Sequence, residues 1–252
     1  MSSRGVPILM YHALERSRSP IATDPSWFAA TMAKLADAGF RTIDLNDWVH
    51  DGRPGLERSF GITFDDGLTS LQNAADVLAR HQFTATVFLV TGHVGGRNDW
   101  PSQPAGVPSW PLLGWSDLAD LDAAGFRFAS HTRTHPDLSR VSEQELDDEL
   151  RTSKVELESR LGRPCRIFAY PYGAASARVE RAVARYYDAA FSTRLDYASP
   201  EDGQFRIARI DAYYLRSERS LDLLIQGRLH NRLRMRRTLR QVRAAALKVA
   251  AH

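Results

Sequence analysis

Short apolar runs alternate with longer amphipathic stretches along most of the chain. Val6–Tyr11 is an apolar run that predicts a strand ending at His12. Asp24 followed by Pro25 marks a helix start, a carboxylate cap and then proline in the first turn. The helix runs to about Ala38, with Gly39 as a left-handed exit. Phe40–Ile43 and Gly61–Phe64 read as strands, the second ending in Asp65-Asp66-Gly67. A helix over about Leu71–Arg80 leads to the strand Ala85–Val90, and a helix over Trp115–Ala124, with Ser116 as its cap, to the strand Phe126–Ser130. Ser142 and Glu145 form a capping box for a long helix to about Leu161. Arg166–Tyr170, Ala189–Ser192 and Arg206–Ile210 complete the strands, with a helix over Ala175–Arg185 between the first two. The run Leu35-Ala36-Asp37-Ala38-Gly39-Phe40 recurs as Leu121-Asp122-Ala123-Ala124-Gly125-Phe126. One helix-to-strand joint is thus used twice.

Such alternation predicts an α/β fold, a parallel sheet covered by helices and either open or closed as a barrel. No linker divides it. The longest irregular stretch is His93–Gly114, with Trp100 and Trp110. Residues 1–215 read as one domain and 216–252 as a basic helical tail.

Composition removes several classes. Of 252 residues, 43% are hydrophobic and 25% charged, a globular balance. The single cysteine, Cys165, excludes a disulfide scaffold and fits a reducing compartment. No apolar run approaches the roughly 20 residues of a membrane helix. The N-terminal apolar stretch contains Pro7 and lacks a small-residue cleavage site, so it reads as a strand and not a signal peptide. A cytoplasmic protein is expected, peripheral at the inner membrane face at most. The net charge of +3 is uneven: residues 227–252 hold seven arginines and one lysine with no acid. Taking these eight from 33 leaves 25 basic against 30 acidic residues, a net of −5 for the remainder. Nucleic acid is therefore not an expected partner.

Several polar residues follow predicted strands: His12, Asp65, Asp66, His131 with His135, and Tyr172. In parallel α/β folds the loops at the C-terminal strand ends build the site. Asp66, His131 and His135 suit a divalent metal, two imidazoles and a carboxylate that leave positions open for water and substrate. Pro136 disfavours a helical His135, so the histidines sit on a strand end and tight loop. Adjacent Asp65 and Asp66 would raise each other's pKa unless a cation offsets them, and a metal on one frees the other as a base. Surface loop histidines and a simple turn at Asp-Asp-Gly are the plainer alternatives.

Thr63-Phe64-Asp65-Asp66-Gly67 and His131-Thr132-Arg133-Thr134-His135-Pro136 resemble the first two motifs of the polysaccharide deacetylases, the NodB-homology or family-4 carbohydrate esterases. Phe168-Ala169-Tyr170-Pro171-Tyr172-Gly173 resembles their third. The resemblance spans about Pro7 to Asp211. It implies a distorted (β/α) barrel of about seven parallel strands and metal-dependent removal of N-acetyl groups from sugars. By the same resemblance Asp65 is the catalytic base and Asp66, His131 and His135 the metal ligands, while the Tyr172 backbone N–H helps hold the oxyanion. Zinc is the expected ion, with cobalt, nickel or iron as alternatives.

The chain departs from the family in three places. Ala169 stands where an arginine usually pairs with the base, the fourth motif is not recognisable, and no late Leu-x-His follows a strand. His230 lies in the basic segment and is a poor substitute. His12, after the apolar first strand, resembles the arrangement in deacetylases of poly-N-acetylglucosamine and is the expected general acid. Arg209 could supply the missing arginine, orienting Asp65 or His12 through Asp211. Trp100 and Trp110 could stack on sugar rings or simply pack their loop. Tyr170, Pro171 and Asp211 are expected on the substrate side.

In the tail, Leu221, Leu224, Ile225, Leu229, Leu233, Leu239, Val242, Ala246 and Val249 approximate one helical face beside Arg228, Arg232, Arg236, Arg240 and Arg243. An anionic membrane could receive it through 227–252, or it could dock on the protein with its arginines in water. The expected function is N-deacetylation of an amino sugar in an oligosaccharide, glycoside or lipid-linked glycan. The alternatives are a hydrolase of another amide or acetyl ester, and a carbohydrate-binding protein without turnover.

Overall fold

The computed structural model of the chain describes residues 5–239. Ten strands form: β1 (Ile8–Tyr11), β2 (Ala13–Leu14), β3 (Ala22–Thr23), β4 (Arg41–Thr42), β5 (Ser59–Phe64), β6 (Ala85–Leu89), β7 (Phe126–Ser130), β8 (Ile167–Ala169), β9 (Ala189–Leu195) and β10 (Ile207–Asp211). The main sheet runs β1-β10-β9-β8-β7-β6-β5-β4, and β1 also pairs with β5. That last pairing, Ile8↔Gly61 through Tyr11↔Phe64, closes seven parallel strands into a barrel with β4 outside it. Of the two arrangements open to the sequence, the closed one forms.

Strand alternation sorts the residues. Ile8, Phe88, Ala129, Ile167, Ala169, Ala189, Phe191 and Ile207 pack together inside the barrel. Three of these eight are alanines, which keeps the interior narrow. Leu9, Tyr11, Phe60, Phe64, Val87, Phe128 and Phe168 face outward and meet the helices. The helices are α1 (Pro25–Asp37), α2 (Leu45–His50), α3 (Ala75–His81), α4 (Asp117–Ala123), α5 (Glu143–Leu161), α6 (Ala177–Val183) and α7 (Glu218–Ile225). Leu45 and Trp48 of α2 join the interior cluster.

The predicted caps form. Asp24 accepts from Ser26 N–H at the start of α1, and the Ser142–Glu145 capping box opens α5. The repeated joint is real: α1 and α4 both exit through a left-handed glycine, Gly39 at φ +77° and Gly125 at φ +91°. Differences are local. Ser116 makes no side-chain cap; Asp117 instead accepts from Gly114 N–H. The helix expected over Leu71–Arg80 begins as a 3₁₀ turn, Thr69–Ala74, before α3. The short elements α2, β2 and β3 carry too few residues for a periodic signal.

The start of the tail is part of the core. Leu221, Leu224, Leu229 and Leu233 are buried with the outer cluster and so are unavailable to a membrane surface. Met235 and Leu239 are exposed. Arg237 and His230 both pair with Asp196. Val242, Ala246, Val249, Arg240 and Arg243 lie outside the described residues. Among the described residues, no helix is long and apolar enough to cross a membrane.

Candidate functional site

The alternation that builds the core also aims the chemistry. Inward Ile8 puts His12, four residues on, over the barrel's C-terminal mouth, and inward Gly61 does the same for Asp65. Ala129 precedes inward His131, and Ile207 precedes inward Arg209. Asp66 reaches the site differently. It leaves the strand in a left-handed conformation, φ +73°, and Gly67 follows at φ +79°. A Cβ on Gly67 would lie 2.5 Å from Leu89 Cδ2, so the turn requires glycine on two counts.

Asp66, His131 and His135 converge. Their ligating atoms all lie within 4.8 Å of one another, and all three residues are buried. Asp66 Oδ1 stands 3.6 Å from His131 Nε2 and 3.4 Å from His135 Nε2, and this buried oxygen has no hydrogen-bond partner. An orphaned carboxylate oxygen facing two imidazole nitrogens is costly in a folded protein unless something cationic sits between them. The donor set fits a divalent metal. His131 Nδ1 lies 2.8 Å from the Ala169 carbonyl, which only accepts, so Nδ1 carries the hydrogen and the Nε2 lone pair faces Asp66.

The loop between the histidines is held by α5. Glu149 is buried and its carboxylate accepts from Arg133 N–H, Thr134 N–H (both 2.8 Å) and the Thr134 hydroxyl (2.5 Å). Thr132 Oγ1 accepts from His135 N–H at 3.0 Å. Thr132 and His135 both have positive φ, +71° and +60°, as does Tyr172 at +58°. With Asp66, four of the seven non-glycine residues of this kind among the described residues cluster here. Each costs of order 1–3 kcal/mol, and the surrounding hydrogen bonds hold them.

Asp65 has a different partner. Arg209 Nη1 and Nη2 donate to Asp65 Oδ1 and Oδ2 at 2.6 and 2.8 Å, and Arg209 also donates to Ser192 O and Thr63 Oγ1. Both side chains are buried. Burial alone would raise the Asp65 carboxyl, but Arg209, His131 and His12 outweigh it and hold it below the usual range. Burial likewise opposes ionisation of Asp66, and the charges of His135, His12 and His131 hold it well below that range. Burial pushes His131 down to about 4, against the pull of Asp65. His12 is half-buried at the end of β1, beside Asp65, whose N–H donates to Tyr11 O at 2.9 Å.

The five residues expected on the substrate side differ in exposure. Trp100 is 2% exposed: its ring stacks on His135, 4.2 Å between centroids at 30°, so it presents no face to a sugar. Trp110 is partly buried against a small cluster with Leu68, Val90 and Trp100, where it packs the loop down. Tyr170 faces outward from the barrel, is fully buried, and donates to Phe205 O. Pro171 is buried. Asp211 is half-exposed and caps a 3₁₀ turn through Tyr213 N–H; Arg209 reaches Asp65 directly and does not act through it. Tyr172 is the exposed member, at 41%. Glu149 escaped the sequence reading, although it sits on the buried stripe of α5 with Leu146, Leu150, Ser153 and Leu157. A carboxylate on an apolar stripe is a usable signal.

Comparison with known proteins agrees with this geometry. The family model described as polysaccharide deacetylase matches residues 52–190. A Staphylococcus aureus poly-beta-1,6-N-acetyl-D-glucosamine N-deacetylase is 28% identical over 152 residues, 56% of this chain and 49% of that protein. The chain thus spans about half the length of that relative. Among solved structures, a Bacillus cereus polysaccharide deacetylase shares 25% identity at a TM-score of 0.69, covering 82% of this chain and 65% of that one. IcaB from Ammonifex degensii shares the fold, with 21% identity and a TM-score of 0.72 over 90% of this chain and 97% of that one. By the family match, the barrel and the clustered motif residues, the chain belongs to the polysaccharide deacetylase family.

Proposed function

We propose that the chain is a metal-dependent hydrolase that removes the N-acetyl group from an amino sugar within a glycan. The observation that carries this reading is the pairing of two arrangements on one barrel mouth: a metal-ready Asp66–His131–His135 set and a buried Asp65 ionised by Arg209. A divalent ion, zinc by the donor set, would supply Lewis acidity toward the acetyl carbonyl and toward an attacking water.

The residues of the chain do the rest. Asp65 accepts the proton of the water; Arg209 holds its carboxylate ionised and fixes its plane. His12, on the neighbouring strand end, gives a proton to the departing amine. The Tyr172 backbone, turned into the left-handed region ahead of Gly173, would offer its N–H to the developing oxyanion. The Asp65–Arg209 pair also favours an enzyme over a binding protein, since Arg209 stands in for the arginine absent at Ala169. The resemblance to the Staphylococcus aureus enzyme supports an N-acetylglucosamine glycan as substrate class.

The test is acetate release from N-acetylglucosamine oligosaccharides by zinc-loaded protein, with a chelated control, an Asp65→Asn variant and matched O-acetyl substrates. Release that both controls abolish is expected. Release from O-acetyl substrates alone would replace the amide by an ester, and sugar binding without release would leave a binding protein.

A further inference from the structure

The two metal-facing histidines are oriented by unlike partners. For His131 a backbone carbonyl settles which nitrogen carries the hydrogen. For His135 the partner is a hydroxyl, Tyr172 Oη at 3.1 Å from Nδ1, and a hydroxyl can donate or accept. Its direction depends on what else the hydroxyl does.

Tyr172 Oη has three further neighbours. Trp100 Nε1 donates to it at 3.1 Å, and an indole N–H can only donate. The Ser102 carbonyl, which can only accept, lies 2.9 Å away, and Ser102 Oγ lies 3.1 Å away. Ser102 Oγ has a fixed task, since it donates to His135 O at 2.8 Å. The phenol has one proton. Given to Ser102 O, it leaves Tyr172 Oη accepting from Trp100 and from His135 Nδ1–H. In this arrangement every strong donor has an acceptor. Reversing the His135 bond would move the phenol's proton from its shorter contact, Ser102 O at 2.9 Å, to its longer one, Nδ1 at 3.1 Å, and would turn an Nε2 hydrogen toward the metal site.

We propose that Trp100 and Tyr172 are positioning residues that lock His135 in the tautomer whose Nε2 lone pair faces the metal site. Trp100 acts twice: its indole N–H sets the direction of the phenol, and its ring lies against the imidazole. The tryptophan of the long loop thus packs against the site and orients a ligand. Outer partners of metal-bound imidazoles fix ring orientation and basicity, and their loss costs about 10–100-fold in metal affinity.

The inference rests on the metal reading above, and two readouts other than turnover test it. Zinc affinity of the full chain is measured by competition with a chelator for wild type, Tyr172→Phe and Trp100→Phe. Nitrogen-15 spectra of the metal-free proteins report the tautomer of each histidine. Tyr172→Phe removes one half-exposed hydroxyl, so the fold is retained. Its affinity should fall about 10–100-fold, with His135 no longer purely Nδ1–H and His131 unchanged. Trp100→Phe keeps a ring on His135 and should move both readouts in the same direction by less. Affinity within about twofold of wild type in Tyr172→Phe, with the His135 spectrum unaltered, would overturn the proposal. A wild-type chain that binds no zinc would overturn the metal reading itself.

Discussion

Arg209 and Asp65 meet as a planar fork on a carboxylate, Nη1 on Oδ1 at 2.6 Å and Nη2 on Oδ2 at 2.8 Å, although 144 positions separate them in the chain. The pair forms because β1 lies between β10 and β5 in the closed barrel, so inward residues of both strands reach one interior. Beneath the guanidinium lies Phe88, 5.4 Å from its ring centroid. Lysine cannot reproduce a two-point grip on a carboxylate. Arg209→Lys should therefore lower kcat/KM by about 10²-fold, within the range assigned to a positioned base. It should also move the acid limb of the pH profile upward, because the guanidinium keeps the Asp65 carboxyl low. Arg209→Ala should destabilise the fold by about 3–5 kcal/mol by leaving a buried carboxylate unpaired. Steady-state kinetics across pH and urea unfolding check both. An acid limb that stays in place in Arg209→Lys would remove Arg209 from the base's control.

Glu149 works on the metal site without touching it. Its carboxylate accepts three hydrogen bonds from the loop between the histidines. Bonds to a charged acceptor are worth about 1.5–3 kcal/mol each. Glu149→Ala leaves two backbone donors without their acceptor and should cost about 3 kcal/mol, with zinc affinity falling alongside. Glu149→Gln keeps one acceptor oxygen and should lie between. Unfolding and zinc titration of the two variants read this directly, and wild-type affinity in Glu149→Ala would show that the loop holds its shape unaided.

Gly67→Ala tests the turn that presents Asp66. The new methyl would stand 2.5 Å from Leu89 Cδ2, in a residue only 1% exposed, and at φ +79°. Overpacking of this kind costs about 1–3 kcal/mol. A lowered Tm together with weakened zinc binding is expected; a lowered Tm alone would mean that the strain is absorbed away from Asp66.

What the sequence disclosed follows the range of each interaction. Caps, the repeated exit through Gly39 and Gly125, and the strand ends are local, and they read correctly from neighbours in the chain. The motif residues Asp65, Asp66, His131 and His135 were legible because strand ends share one barrel mouth. Barrel closure was legible only through the motif resemblance, since the β1–β5 pairing joins residues about 50 apart with no local mark. Arg209 was named as a candidate, but its direct bond to Asp65 depends on that closure. The two readings of Trp100 could not be separated, because an aromatic on a loop reads the same whether it faces solvent or a buried imidazole. Tyr170 was misplaced because alternation along β8 was not counted: outward Phe168 makes Tyr170 outward too.

Acid should loosen the metal-free protein earlier than its carboxylates would. Burial depresses His131 from an ordinary 6.5 to about 4. The folded state therefore takes up that proton less readily than the unfolded chain does. Stability is fully present above about pH 6.5 and is lost as pH falls toward 4, by up to about 3 kcal/mol for a shift of this size. Below that window His131 adds no further loss. Asp65 and Asp66 are depressed as well. Their contribution is present above the ordinary carboxylate range near 3.9 and disappears as pH falls through their folded values. Urea unfolding of chelator-treated protein from pH 8 to pH 4 should thus show a decline beginning near 6.5. In His131→Asn that upper part of the decline should be missing while the carboxylate part remains. Zinc should raise stability at neutral pH by mass action, and the gain should shrink as protons compete for the imidazoles. A metal-free wild type whose stability is flat between pH 7 and pH 5 would mean that His131 takes up its proton as readily in the fold as in the unfolded chain, and that burial does not hold its imidazole neutral.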